Sequence, residues 1–198
     1  MMRKQGYFSS RRTLAACAMA FASLTFAACT TTTPDDKATA AEQRSQINAG
    51  VNSTLSRLYS SAPGSQTLIQ QAKGVLVFPS VMGASFIVGG EYGKGALRVN
   101  GVTKGYYSLG GGSIGFQAGA QSRAIVLVFT TQQALDSFIN SNGWSVGADA
   151  NVALATLGAN GSIDSNTVNQ PVVGFVLNNA GLAAGVSLQG SKIQAIDL

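Results

Sequence analysis

The stretch Gly110-Gly111-Gly112-Ser113-Ile114-Gly115 matches the spacing G-x-G-x-x-G, in which glycines let the backbone close on a pyrophosphate. That chemistry needs a strand before the glycines and a helix N-terminus after them. Here the residues beyond Gly115 alternate as a strand, so no nucleotide site is expected, and no lysine-bearing phosphate loop is present. Carboxylates are sparse: beyond the first helical segment there are Glu91, Asp136, Asp149, Asp164 and Asp197. A paired-acid hydrolase needs two acids in one cleft, and no spacing brings two of these together. Glu91, the acid inside the apolar first half of the sheet, is expected to be exposed and solubilising. The chain has no histidine, which removes Ser-His and Cys-His nucleophiles, imidazole acid–base catalysis and histidine-based zinc or haem sites. The residues point to a non-enzymatic protein with no cofactor and no metal.

One cysteine carries a different chemistry. Arg3, Lys4, Arg11 and Arg12 form a positive segment, followed by the uncharged, alanine-rich stretch Thr13 to Ala28. That reads as a secretory signal, too short to span a membrane stably. It ends in Phe26-Ala27-Ala28-Cys29, which resembles a bacterial lipobox, where cleavage precedes a cysteine that then carries diacylglycerol; Phe26 stands where the motif usually has Leu. Leu14-Ala15-Ala16-Cys17 fits the letters better but follows the arginines directly, with no apolar segment before the cut. Cys29 is therefore the expected lipidation site, the alternative being an ordinary periplasmic thiol beside a conventional cleavage site. Ser10-Arg11-Arg12-Thr13-Leu14 also resembles a twin-arginine signal, and the route of export stays open.

Cleavage changes the electrostatics. The 198-residue precursor carries a formal charge of +5, but four of its 13 basic residues leave with the signal while all eight acids stay, leaving a net +1. The isoelectric point near 9.5 belongs to the precursor, so no nucleic-acid partner follows from it. The mature chain keeps a single cysteine and can form no internal disulfide. Residues 29–39, polar and containing Pro34, read as a tether able to span up to about 36 Å. Thr30 after the cysteine points to sorting to the outer membrane, on its periplasmic side or at the cell surface. With 45% hydrophobic and 11% charged residues, the chain is apolar enough to bury a real core beyond the tether.

Residues 40–198 form the expected domain. Ile47, Val51, Leu55, Leu58 and Tyr59 recur with a period of 3.6, predicting an amphipathic helix over about 38–60. Arg44 and Arg57 are its only basic residues, which favours core packing over a membrane-surface role. Pro63-Gly64 breaks the chain, and Ser65 is expected to cap a short helix through Ala72. Gly74 to Phe78, closed by Pro79, and Ala124 to Phe129 read as strands covered on both faces. Ile114, Phe116 and Ala118 alternate with small or polar residues as a further strand. Asn100-Gly101, Asn142-Gly143 and Asn160-Gly161 are hairpin signals. Thr131 to Asn140 predicts a helix capped by Thr130 or Thr131, and strands are expected over 146–157, 171–177 and 182–188. The fold class is α+β: two or three helices packed on a curved or barrel-like, mostly antiparallel, glycine-rich sheet.

A basic cluster falls on the hairpin around Asn100-Gly101. Arg98 and Thr103 face each other across its turn, with Lys94 and Lys104 flanking and Tyr92, Tyr106 and Tyr107 nearby. Such a basic, aromatic rim suits a lipid headgroup layer. The other reading is a solvated edge that lysines protect against strand pairing.

Four segments carry a resemblance. Lys73-Gly-Val-Leu-Val-Phe-Pro79, Val88-Gly-Gly-Glu-Tyr-Gly-Lys-Gly95, Gly112-Ser-Ile-Gly-Phe-Gln-Ala-Gly119 and Gly181-Leu-Ala-Ala-Gly-Val-Ser-Leu-Gln-Gly190 resemble, in order, the signature segments of the SYLF domain. The resemblance implies a non-enzymatic domain that binds phosphoinositides or other anionic lipids, partly through a basic N-terminal segment that joins Arg44 and Arg57 to the rim. Some relatives bind actin filaments, a partner not expected in a bacterial envelope. This chain departs from the pattern in its weakly basic first helix and in Asn178-Asn179-Ala180 before Gly181. The expectation is an envelope lipoprotein whose domain binds phospholipid, or an adaptor that contacts a protein and meets the membrane only through its anchor; the protein partner is unknown.

Overall fold

Period-3.6 patterning at one end of the domain and period-2 patterning after it produce helices first and a sheet second. A computed structural model describes residues 39–85, 88–114, 119–157, 163–183 and 186–198. The signal, Cys29, the tether up to residue 38, Phe116, Ala118 and the Asn160-Gly161 turn lie outside the described residues.

The first helix, α1, spans Ala40–Ser61. Thr39 starts it with a capping box: its hydroxyl accepts from the Glu42 N–H at 3.3 Å, and the Glu42 carboxylate accepts from the Thr39 N–H at 2.7 Å. Val51, Leu55 and Leu58 are buried, and Ile47 and Tyr59 pack beside them, as the stripe requires. The helix ends at Pro63-Gly64, where Gly64 takes a left-handed φ of 91°. A second helix, α2, covers Ser65–Gln71. Ser65 does not cap it: this residue is the helix's first, fully buried, and its hydroxyl donates to the Leu58 carbonyl of α1 at 3.4 Å.

The strands are β1 (Gly74–Ser85), β2 (Val88–Val99), β3 (Val102–Ile114), β4 (Gly119–Phe129), β5 (Trp144–Ser145), β6 (Ala153–Leu154), β7 (Val172–Asn178), β8 (Gly181–Leu182) and β9 (Lys192–Ile196); α3 (Gln132–Ile139) and one turn of helix, α4 (Ser165–Val168), interrupt them. Their order in the sheet is β5-β9-β3-β2-β1-β4-β7-β6, with β8 pairing with β7, and every pair is antiparallel except β6 with β7. The α+β expectation with a curled, mostly antiparallel sheet holds. The β2–β3 turn is a true two-residue hairpin with positive φ at Asn100 (53°) and Gly101 (78°), and Arg98 pairs with Thr103 across it.

Several local expectations fail for identifiable reasons. Pro79 does not close β1. It sits in a bulge where the register with both β2 and β4 shifts, one of the few interior places a proline can occupy. Opposite the bulge, a Cβ on Gly95 would stand 2.2 Å from the Val77 carbonyl oxygen, so only glycine fits. Asn142-Gly143 joins α3 to β5 and is no hairpin. Within 146–157 the ladder has only the two residues of β6, and beyond Leu182 the next strand among the described residues is β9.

The sheet separates two cores. On one face, α1 and α2 cover Val75, Val77, Ala96, Val126, Val173 and Phe175. On the other, the curl encloses Phe78, Ile125, Leu127, Phe129, Trp144 and Ile193 together with Leu135 and Phe138 of α3. Thr131 caps α3 by accepting from the Ala134 N–H at 3.2 Å. Phe129, Phe138 and Trp144 meet with centroids 5.0 to 6.3 Å apart, and each large side chain buried here contributes roughly 1.5–3 kcal/mol.

Candidate functional site

α1 crosses the strands, and the chain's polar and basic residues gather along its seam with the sheet. At one end Arg44 donates to the main-chain oxygen of Leu198, just beyond β9; at the other, Arg57 donates to the Asn178 carbonyl at 2.7 Å, at the end of β7. Beside Arg44, Lys94 of β2 donates to Gln43 at 2.9 Å. Arg98 donates to Asn52 Oδ1 at 2.7 Å and to the Asn48 carbonyl at 3.4 Å. Asn48 also accepts from the Thr103 hydroxyl at 2.9 Å and donates to the Tyr106 hydroxyl at 2.9 Å.

The residues named from sequence therefore divide. Arg44, Arg57, Lys94, Arg98 and Tyr106 come together under or beside α1. Lys104 is left unpaired where the β2–β3 register shifts; it is exposed beside Arg44, Tyr106 and Asp197. Tyr92 lies on the same face as Lys94, past the edge of α1, and is 54% exposed. Tyr107 points to the opposite core, its ring 4.9 Å from Phe138. Burial raises the Tyr107 pKa above 10.0, and burial likewise raises that of Tyr59, with the Arg98 charge opposing.

Two features escaped the sequence reading. Asn48 and Asn52 sit one helical turn apart beside the apolar stripe, and that polar i, i+4 pair was the available signal. Met82, 62% exposed, stands directly opposite Tyr92 across β1 and β2, so two large apolar side chains meet solvent together beside Lys94.

On the other face Glu91 departs from expectation. Instead of an exposed solubilising acid it is a nearly buried one, ion-paired with Arg123 of β4 and accepting from the Ser191 hydroxyl at 3.1 Å. Gly111 on β3 leaves room for the carboxylate: a Cβ there would stand 3.0 Å from Glu91 Oε1. Among the described residues no three Asp, Glu, Cys or His side chains gather as a metal site, and no helix is long and apolar enough to cross a membrane. Gly110 to Ile114 lie within β3, so the glycine spacing there belongs to a strand.

Residues 110–197, from the middle of β3 through β9, match the family model described as "Ysc84: Las17-binding protein actin regulator". The chain is also 30% identical over 135 residues to the SH3 domain-containing YSC84-like protein 1 of Pongo abelii, covering 63% of this chain and 37% of that protein. Against the same-named protein of Mus musculus it is 29% identical over 133 residues, covering 63% and 38%. The chain thus spans less than two fifths of the length of these curated relatives. The match takes in the end of β3, α3 and the strands β4 to β9, with β1 and β2 outside it; over those residues the chain is similar to the Ysc84, or SYLF, family.

Proposed function

We propose that this chain is an outer-membrane lipoprotein anchored through Cys29, and that its domain docks on anionic phospholipid with the face carrying Tyr92, Met82 and Lys94, flanked by Arg44 and Lys104. The observation that carries this reading is the exposed Met82–Tyr92 pair beside a lysine. Large apolar and aromatic side chains next to a cation are the combination that settles at a headgroup layer. The place where α1 begins supports it. Lys94 bonds to Gln43, four residues after Thr39, so the chain that leads to Cys29 enters about 6 Å of helix away from this patch. A reach of about 36 Å lets a lipidated Cys29 and the patch meet one bilayer. Arg98, tied to α1, and Tyr107, in the opposite core, are left out of this surface.

The test is vesicle co-sedimentation of the Cys29→Ala chain on neutral and anionic phospholipid at two salt concentrations, beside the Met82→Ser/Tyr92→Ser and Lys94→Ala/Lys104→Ala variants. Salt-sensitive binding to anionic vesicles, weakened about tenfold by either pair, is expected. Equal pelleting of all variants removes this surface from the reading.

The family model's description names a protein partner, and this favours a second reading. In it the domain is an adaptor in the envelope, and membrane contact comes from Cys29 alone. Absence of vesicle binding by the Cys29→Ala chain decides for it.

A further inference from the structure

On the side of α1 away from Met82 and Tyr92, a cavity of about 350 Å³ opens between α1, α2 and the β2–β3 turn. Leu55, Ile69 and Val75 supply its apolar wall, and Tyr59, Arg98 and Asn100 its polar groups. This is the size range and the mixture of lining found in small-molecule sites. Arg98 is a cation in this wall with no carboxylate partner, the ion pair among the described residues being that of Glu91 and Arg123. Two of its nitrogens are spent on Asn52 and Asn48, while its Nε is buried without any hydrogen-bond partner.

We propose that this cavity binds one single-chain anionic amphiphile of the fatty-acid class, its carboxylate on Arg98 and its chain along Leu55, Ile69 and Val75. A carboxylate meeting the part of the Arg98 guanidinium that lines the cavity would supply the counter-charge this cation lacks, which a neutral head group cannot do. The volume equals about a dozen water-sized groups, enough for one short chain and too little for the two chains of a bilayer phospholipid. The Tyr59 phenol in the same wall, neutral at pH 8, adds a polar group rather than a competing charge. The proposal does not rest on the membrane reading, because the cavity and the Met82–Tyr92 patch lie on opposite sides of α1.

The test uses the Cys29→Ala chain with decanoate as probe and decanol as its neutral counterpart, by titration calorimetry at pH 8 below micellar concentrations. Saturable one-to-one binding of decanoate, at least tenfold tighter than decanol, is expected. Arg98→Gln should bring the two affinities together. Because Arg98 also ties α1 to the sheet, a second variant is needed. Ala72→Phe fills the cavity from its rim without touching Arg98, and should abolish decanoate binding while leaving vesicle pelleting unchanged. No saturable binding, equal affinity for decanoate and decanol, or full binding by Ala72→Phe would each overturn the proposal. Met82→Ser/Tyr92→Ser should leave decanoate affinity intact, so failure of the membrane reading and failure of this one are read separately.

Discussion

Asn48 of α1 accepts a hydrogen bond of 2.9 Å from Thr103 of β3, a residue 55 positions away, while its amide nitrogen donates to Tyr106 further along the same strand. One side chain thus sets both the height and the rotation of the helix over the hairpin. Replacing it with Ala removes both bonds and leaves two hydroxyls in a half-buried seam. Asn48→Ala should cost about 1–3 kcal/mol in urea unfolding, and Asn52→Ala, which loses only its bond with Arg98, about half as much. Equal losses would show that Asn48 does not organise the seam.

Glu91 and Arg123 give a prediction of opposite character. Glu91→Gln keeps the shape but strands the Arg123 guanidinium, whose Nε already lacks a partner. A loss of about 1–3 kcal/mol is expected, below the range for fully buried pairs because Arg123 is 28% exposed. The double change Glu91→Gln/Arg123→Met should recover much of that loss. A double variant no more stable than the single one would count against a charge penalty.

Glycine substitutions separate close approach from conformational freedom. A Cβ at Gly50 of α1 would meet Pro79 at 2.8 and 2.9 Å, so Gly50→Ala should destabilise even though alanine favours a helix by up to about 1 kcal/mol. At Gly95 the obstacle is the Val77 main-chain oxygen, which cannot rotate away, so Gly95→Ala should cost more, at the upper end of about 1–3 kcal/mol. Thermal melts of the two variants check the order, and a Gly95→Ala protein as stable as the parent would contradict the bulge geometry.

Alkaline stability follows from Tyr59 and Tyr107. Both hold their protons above the ordinary pKa of 10.0, because burial disfavours the phenolate. Their contribution is fully present below 10.0 and is lost as pH rises from there through the folded-state value, since the unfolded chain ionises first. Unfolding midpoints measured between pH 8 and 12 should fall beyond 10.0, and Tyr107→Phe should flatten the fall.

What the sequence made legible were the features that local chemistry decides. The stripe from Ile47 to Tyr59, the Asn100-Gly101 turn, the Arg98–Thr103 pairing and the Thr131 cap all follow from neighbours within a few residues. What it hid depends on distant partners. Pro79 reads as a stop until Gly95 of the next strand makes room for a bulge. Lys192-Ile193-Gln194-Ala195-Ile196 is too short to announce a strand without β3 and β5 on either side of it. Glu91 looked solubilising because its partners are 32 and 100 residues away. The basic residues were recognised as a group, but which of them α1 would engage depended on how the helix crosses the sheet.

The place of β1 in the sheet bears on how the chain finds its fold. This strand is made before its two neighbours, yet it lies between them, and Gly74 pairs with Phe129 only after about 55 residues have been closed into a loop. The β2–β3 hairpin, whose turn needs no distant help, is the natural starting point. Once it has brought β4 near β1, the remaining pairings close shorter effective loops. A topology so dominated by distant pairs belongs with domains that fold in milliseconds to seconds rather than microseconds. A slow stage of that kind leaves the apolar strand Val75–Phe78, already paired with β2 on one edge, open on the edge that faces β4 until residue 129 has arrived.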